Sequence, residues 1–289
     1  MIAMENMRLQ APAKLNLSLN VFPERLERGF YRVNFINVQT SLHDTVTLRF
    51  TKEGPVSMQM GGVDGERDLA CRAARLVKER CGIEQGVSIT LDKRIPLRAG
   101  LGGGSADAAS VINGMDRALS LEIPLTEKIA LAGKLGMDVC YCVVGGLCSV
   151  SGIGDRVEKI TAPPIHASVL VATPPETKPS TAWAYSVLDS GRIGKREDLI
   201  KELLRGLESG DIALAARSMH NDFEYPVGLH YPIVRTLKET MLESGALGAI
   251  LAGSGLSVFG IFGTDEEARA AEAELAGNKI RCSITRISV

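Results

Sequence analysis

At 289 residues the chain is long enough for one large domain or two ordinary ones. Apolar residues make up 45% and charged residues 23%, the balance of a soluble globular protein with a sizeable core, which excludes disorder. A net charge of −1 provides no basic field to hold nucleic acid, so a small molecule is the expected partner.

The N-terminal MIAMENMRLQ lacks a basic start followed by an apolar core and does not read as a secretory leader. No apolar run approaches the roughly 20 residues of a membrane span. Cysteines stand at 71, 81, 140, 142, 148 and 282 with no C-x-x-C pair, and only four His are present, so zinc-site spacing is absent. Buried thiols in a reducing compartment, hence a cytoplasmic protein, are expected.

Along the chain, Arg8–Asn20 alternates Leu15, Leu17 and Leu19 with Asn16, Ser18 and Asn20, which predicts a half-buried strand. VTLRF at 46–50 alternates likewise, and VSITLDKRIP at 87–96 reads as a strand closed by Pro96. Helical spacing covers 67–80, 105–119, 127–135, 195–207, 211–220, 232–243 and 265–276. Prolines accumulate over 161–183 around a buried strand, SVLVAT, and a domain boundary is placed near 165. GLSVFGIF at 255–262 and RCSITRISV at the end supply late strands. Without regular βαβ alternation, the pattern predicts α+β with antiparallel sheets.

LRAGLGGGSADAAS, residues 97–110, places four glycines within five positions between a strand and a helix. Glycine lets backbone N–H groups approach a ligand closely. A helix beginning near Ser105 adds unpaired N–H groups and a partial positive charge. Together these predict a phosphate site, with Ser105 as N-cap or as a hydroxyl turned to phosphate or metal. A tight turn before an ordinary capped helix is the bland alternative. No Lys follows the glycines, so this is not a Walker loop, and the dinucleotide fingerprint lacks its third glycine and its acid.

PAKLNLSL, IPLRAGLGGGSADAAS, LGMDVCYCVVGG and LAGSGLSVFGIF, in this order, resemble the GHMP kinase superfamily. HNDFE at 220–224 is similar to an N-D-x-E segment of one of its branches. The resemblance implies a two-domain GHMP kinase fold. Residues 1–165 would resemble ribosomal protein S5 domain 2, residues 166–289 would be ferredoxin-like, and the active site would lie between them. It implies ATP and Mg²⁺ as cofactors, with no metal ligand identified. It implies as acceptor a small alcohol, first the 2-hydroxyl of 4-diphosphocytidyl-2-C-methyl-D-erythritol in non-mevalonate isoprenoid synthesis. No nucleic acid or membrane partner is expected, and the assembly would be a monomer or weak homodimer.

Residue by residue, the resemblance makes Lys14 and Asp138 the catalytic pair. Asp138 would take or orient the acceptor proton, while Lys14 stabilises its charge and that of the moving phosphoryl. Set among Met, Val, Cys and Tyr, Asp138 is expected to be shielded from solvent with a cation nearby. The resemblance assigns ATP to Pro96, Leu97, Arg98, Ala99, Gly100, Leu101, Gly102, Gly103, Gly104, Ser105 and Ala106. It assigns the acceptor to Asn16, Phe30, Tyr31, Tyr185, Gly253 and Ser254, with Trp183 a nearby substitute for Tyr185. The 253–255 turn would close over phosphates and substrate, although without the resemblance it reads as a plain hairpin.

The family's D-G-Y-H segment is here Arg28, Gly29, Phe30, Tyr31, in a register one residue longer. Tyr31 replaces a His that reads the cytosine edge, and a phenol and an imidazole offer different hydrogen bonds. A divergent kinase for a sugar, polyol or isoprenoid precursor is therefore an alternative. A nucleotide-binding module without turnover is another, and a hydride-transfer enzyme is a distant third.

Overall fold

Strand β1 (Met7–Arg25) turns back into β2 (Tyr31–Thr51), and the two pair antiparallel along most of their length. The computed structural model describes residues 6–26, 29–59, 68–97, 99–276 and 279–287. Arg28, Arg67, Arg98 and the last two residues of the predicted closing strand lie outside them.

The N-terminal half continues as β3 (Val56–Gln59), α1 (Leu69–Cys81), β4 (Gly86–Asp92), α2 (Gly103–Leu119), α3 (Leu125–Gly133), α4 (Met137–Val144), β5 (Cys148–Gly152) and β6 (Arg156–Lys159). β2 is long enough to take two partners along one edge. Its far half pairs with β4 and its near half with β5. α1 and α2 bury Ala73, Ala74, Val77, Ala108, Val111 and Ile112 against Val46, Leu48 and Ile89 of the sheet. The Asp68 side chain caps α1 by accepting from Ala70 N at 2.7 Å, and left-handed Gly82 ends it.

The C-terminal half contains β7 (Ser168–Thr173), α5 (Thr181–Ser186), α6 (Glu197–Ser209), α7 (Ile212–Arg217), β8 (His220–Asn221), α8 (Glu224–His230), α9 (Ile233–Glu243), β9 (Gly248–Leu251), β10 (Val258–Phe262), α10 (Asp265–Leu275) and β11 (Arg281–Arg286). Its own sheet has the order β11-β7-β10-β9, with every neighbour antiparallel. This is the ferredoxin-like arrangement. Alternate residues divide its two faces. Leu170, Val258 and Phe262 pack under α9 and α10, whereas Val169, Val171, Phe259 and Ile261 share a core with Leu15, Leu17, Ile36 and Val38 of β1 and β2.

Several sequence expectations change here: the helix expected over 211–220 ends at Arg217, with His220 in a strand, and β3 pairs with β4 in parallel within a sheet expected to be antiparallel. β1 is not half-buried: Asn16, Ser18 and Asn20 are 1%, 0% and 0% exposed, because both faces of the strand are covered. β4 stops at Asp92, short of Pro96. The N–H groups of Arg94 and Ile95 turn away from the sheet and donate to the Asp44 carboxylate.

β8 returns from the C-terminal half to pair in parallel with β1, Ser18 facing His220 and Leu19 facing Asn221. Asp222, directly after it, accepts from Val21 N at 2.7 Å, Gly194 N at 3.0 Å and His220 Nε2 at 2.8 Å. Buried N–H groups left unpaired are costly. Asp222→Ala is therefore expected to lower the unfolding free energy by roughly 3 kcal/mol in urea titrations. A change below about 0.5 kcal/mol would contradict the tethering role.

Candidate active site

Lys14 lies at the centre of β1, and its backbone N–H donates to Leu101 O at 2.9 Å, tying the strand to the glycine loop. The residue is only 4% exposed, and its side chain runs beneath Gly102, where a Cβ would stand 2.8 Å from Lys14 Cγ. Its Nζ donates to Asn16 Oδ1 at 2.7 Å and lies 3.7 Å from Asp138 Oδ2. Asn16 is held by its own donation to Asn37 Oδ1 at 2.6 Å.

Asp138 occupies the first turn of α4, where a carboxylate is favoured by the helix dipole. The structure places a cation beside it but does not shield it. Its side chain is 48% exposed, because the apolar neighbours in sequence point along the opposite helix face into the core. The acid thus faces open space from which an acceptor can approach.

A second glycine turn meets the first. The β9–β10 hairpin brings Gly253, with φ +57, to where its Cβ would lie 3.6 Å from Lys14 Nζ and 3.1 Å from Gly100 O. Gly100, with φ +83, would put a Cβ 2.0 Å from Ala252 O. Asn221 holds this hairpin by donating to Leu251 O at 2.9 Å and Gly253 O at 2.7 Å. Glu224 accepts from Leu251 N at 2.9 Å. The N-D-x-E segment is therefore a clamp on backbone.

Helix α2 begins at Gly103, two residues before the position the sequence suggested, and Ser105 is not its N-cap. Left-handed Gly102 takes that place without any side-chain bond, and its carbonyl accepts from Ala106 N at 2.9 Å. The N–H groups of Gly103, Gly104 and Ser105 precede the first intrahelical bond, so they face out of the positive helix end. A cavity of about 240 Å³ lies against them, lined by Leu69, Lys93, Ile95 and the loop itself. Leu97 is 69% exposed, while Ala99, Leu101 and Ala106 belong to the core and offer only backbone. Arg98 is outside the described residues.

Beneath the loop lies a charge cluster that the sequence did not disclose. Asp44, fully buried, accepts from Arg94 N and Ile95 N and pairs with Lys93, which also pairs with Asp107. Asp107 Oδ1 has no partner among the described residues. Burial pushes the Asp107 carboxyl up from 3.8 to about 7, against the pull of the Lys93 ammonium and with further push from Asp44 and Asp68. No local pattern marks the cluster, since Asp44 and Lys93 are 49 residues apart.

At the other end of the site Tyr31 stacks on Tyr185, ring centroids 5.5 Å apart at 15°. The Arg25 guanidinium lies 3.7 Å from the centre of the Tyr31 ring. Burial, then the charges of Asp138 and Tyr31, raise the Tyr185 phenol to about 12, so it remains a donor at neutral pH. Phe30 is 44% exposed. Trp183 packs edge-on to His230 and Tyr231.

A helix end with bare amides, a buried lysine and an exposed carboxylate, set between an α+β domain and a ferredoxin-like one, are the parts of a small-molecule kinase whose glycine loop is not of the Walker type. The model of the GHMP kinases N-terminal domain matches residues 68–146, and that of the GHMP kinases C-terminal domain matches 199–280. The chain belongs to the GHMP kinase family. A 4-diphosphocytidyl-2-C-methyl-D-erythritol kinase of Acetivibrio thermocellus is 37% identical over 285 residues, 98% of this chain and 99% of the relative. One of Alkaliphilus metalliredigens is 36% identical, covering 94% of each chain. A crystal structure of 4-(cytidine 5'-diphospho)-2C-methyl-D-erythritol kinase superposes with a TM-score of 0.84 at 30% identity, over 98% of this chain and all of that one. The mevalonate kinase of Methanococcus jannaschii shares the fold at a TM-score of 0.73 and 16% identity, over 99% of each chain.

The raised Asp107 carboxyl has a stability consequence. Between 3.8 and about 7 the folded chain keeps a proton that the unfolded chain has released. This contribution is present at acid pH and is lost as pH rises through about 7. Relative to Asp107→Asn, the wild type should lose on the order of 2–4 kcal/mol across that window, read by urea unfolding at successive pH values. Parallel curves for the two proteins would refute it.

Proposed function

We propose that the chain is an ATP-dependent kinase for the 2-hydroxyl of 4-diphosphocytidyl-2-C-methyl-D-erythritol, in isoprenoid precursor synthesis. One observation carries the chemistry: Lys14 Nζ stands 3.7 Å from Asp138, with both glycine turns close around it. Full-length similarity to relatives with that printed activity supports the choice of acceptor.

The cradle fits a triphosphate. Glycine at 102 keeps the loop clear of Lys14, a Cβ at Gly104 would approach only Leu69, and three N–H groups end at an open cavity. The amides of Gly103, Gly104 and Ser105 would hold phosphate oxygens, with the Ser105 hydroxyl beside them. Among the described residues no three His, Cys, Asp or Glu side chains converge, so Mg²⁺ would be held chiefly by phosphate oxygens. ATP supplies the phosphoryl group, and Mg²⁺ supplies charge neutralisation.

Asp138 Oδ accepts the proton of the acceptor hydroxyl from its exposed side. Lys14, fixed by Asn16, keeps one ammonium facing both that carboxylate and the phosphate cradle. It cannot swing away, because Gly102 and Gly253 close over it. Such positioning supplies most of the rate enhancement in phosphoryl transfer. Gly253 and Ser254 would border the bound phosphates, and Tyr31, Phe30 and Tyr185 the base. The domain boundary falls near residue 165, between β6 and β7. Among the described residues no helix is long and apolar enough to cross a membrane. Six free cysteines fit a reducing, cytoplasmic setting.

Tyr31 favours one second reading. It lies flat on Tyr185 where the family pattern has an imidazole, which suits a different acceptor alcohol. A panel of alcohols with ATP, followed by ADP release, separates the two. The cytidine compound should give the highest kcat/KM, and a sugar or polyol exceeding it would establish the second.

Asp138→Asn and Lys14→Met should each lower kcat by about 10²-fold or more with folding intact by circular dichroism. Equal, negligible turnover in wild type and variants would instead mark a binding module.

A further inference from the structure

A cavity of about 370 Å³ shares Leu97 and Gly100 with the cavity at the α2 end but opens onto the C-terminal domain. Its other walls are the 173–181 connector, the hairpin residues Ser254–Ser257 and Arg281 at the start of β11. The volume falls in the range of small-molecule sites, about 300–1,000 Å³.

Its charges are unbalanced. Lys178 and Arg281 line it, with Glu176 as the one carboxylate. Among the described residues neither cation forms an ion pair. Lys178 is partly buried, and its one hydrogen bond donates to Ser180 O at 2.9 Å. Burial lowers its pKa from the ordinary lysine value with no carboxylate to counter it. Holding an ammonium partly out of water without a counter-charge is unfavourable. A ligand that brings negative charge removes that penalty. A lysine point charge, a guanidinium fork and the Ser254 and Thr177 hydroxyls together suit phosphate oxygens.

We propose that this cavity is a second anion site, which takes the diphosphate of a nucleotide-linked ligand between Lys178 and Arg281. The inference rests on the kinase reading for its ligand class, since the proposed acceptor and ATP both carry such a group. Leu97 and Gly100, shared by both cavities, would let one ligand anion sit beside the other without sharing the helix end. Glu176, on the exposed connector, opposes an anion, and the two cations outnumber it.

Inorganic pyrophosphate is the probe, titrated calorimetrically into wild type, Lys178→Gln, Arg281→Gln, the double variant and Lys178→Arg. Each glutamine change should weaken binding about tenfold, the loss of one charge-assisted contact. Lys178→Arg should stay close to wild type. Unchanged affinity in the double variant, with its melting temperature preserved, overturns the proposal. In steady-state assays, a raised KM for the acceptor assigns the site to the acceptor diphosphate, and a raised KM for ATP assigns it to the nucleotide. No change in either KM overturns the proposal. Pyrophosphate binding does not depend on which alcohol is phosphorylated, so failure of the proposed acceptor would leave this result standing.

Discussion

The buried ammonium of Lys14 sets the terms for the rest of the molecule. A lysine 4% exposed is costly unless polar groups surround it. Here Asn16 supplies an oxygen, Asp138 a charge, and two backbone turns close the remaining sides. Those turns can approach only because positions 102 and 253 carry no Cβ. Their sequence cost is flexibility, since glycine loses more backbone freedom on ordering than any other residue. The flexibility is countered from outside: Asn221 and Glu224 fasten the hairpin, and Asp44 fastens the entry to the glycine loop. The domains therefore meet at the site, and β8 of one half completes the sheet of the other.

How much of this the sequence disclosed depends on how local the signal is. The strand, glycine turn and helix around 97–119 were legible because glycine spacing and small helix formers lie side by side. The pairing of Lys14 with Asp138 was legible only through family resemblance, as 124 residues separate them. Burial on both faces of β1 was not legible. Alternation with Asn and Ser reads as a solvated face, whereas tertiary packing covers it and leaves Ser18 and Asn20 without partners among the described residues. Asp138 erred in the opposite direction. Its apolar neighbours suggested burial, but a helix turns successive side chains by about 100°, so a carboxylate can face solvent beside Val139 and Cys140 in the core.

The Lys93 cluster shows a third kind of gap. DKR and SADAAS each look like ordinary surface and helix composition. Only the fold places Asp44 and Asp107 on one ammonium. Two buried carboxylates around one cation leave an excess negative charge beneath a loop suited to anions. A proton on Asp107 relieves that excess, which is why burial and Asp44 both act to retain it.

A chain of net charge −1 thus handles highly anionic ligands through local arrangement instead of a general positive field. On the reading proposed above, bare amides at the helix end would hold phosphate without contributing net charge, leaving the Lys14–Asp138 pair electrically balanced before ligand arrives. On the C-terminal wall the opposite solution appears, with Lys178 and Arg281 in no ion pair among the described residues. Amides grip oxygens wherever these lie within hydrogen-bond reach, whereas unpaired cations attract charge from farther off and tolerate variation in its placement. The first suits a group that must be aligned for transfer, and the second suits a group that only has to be retained.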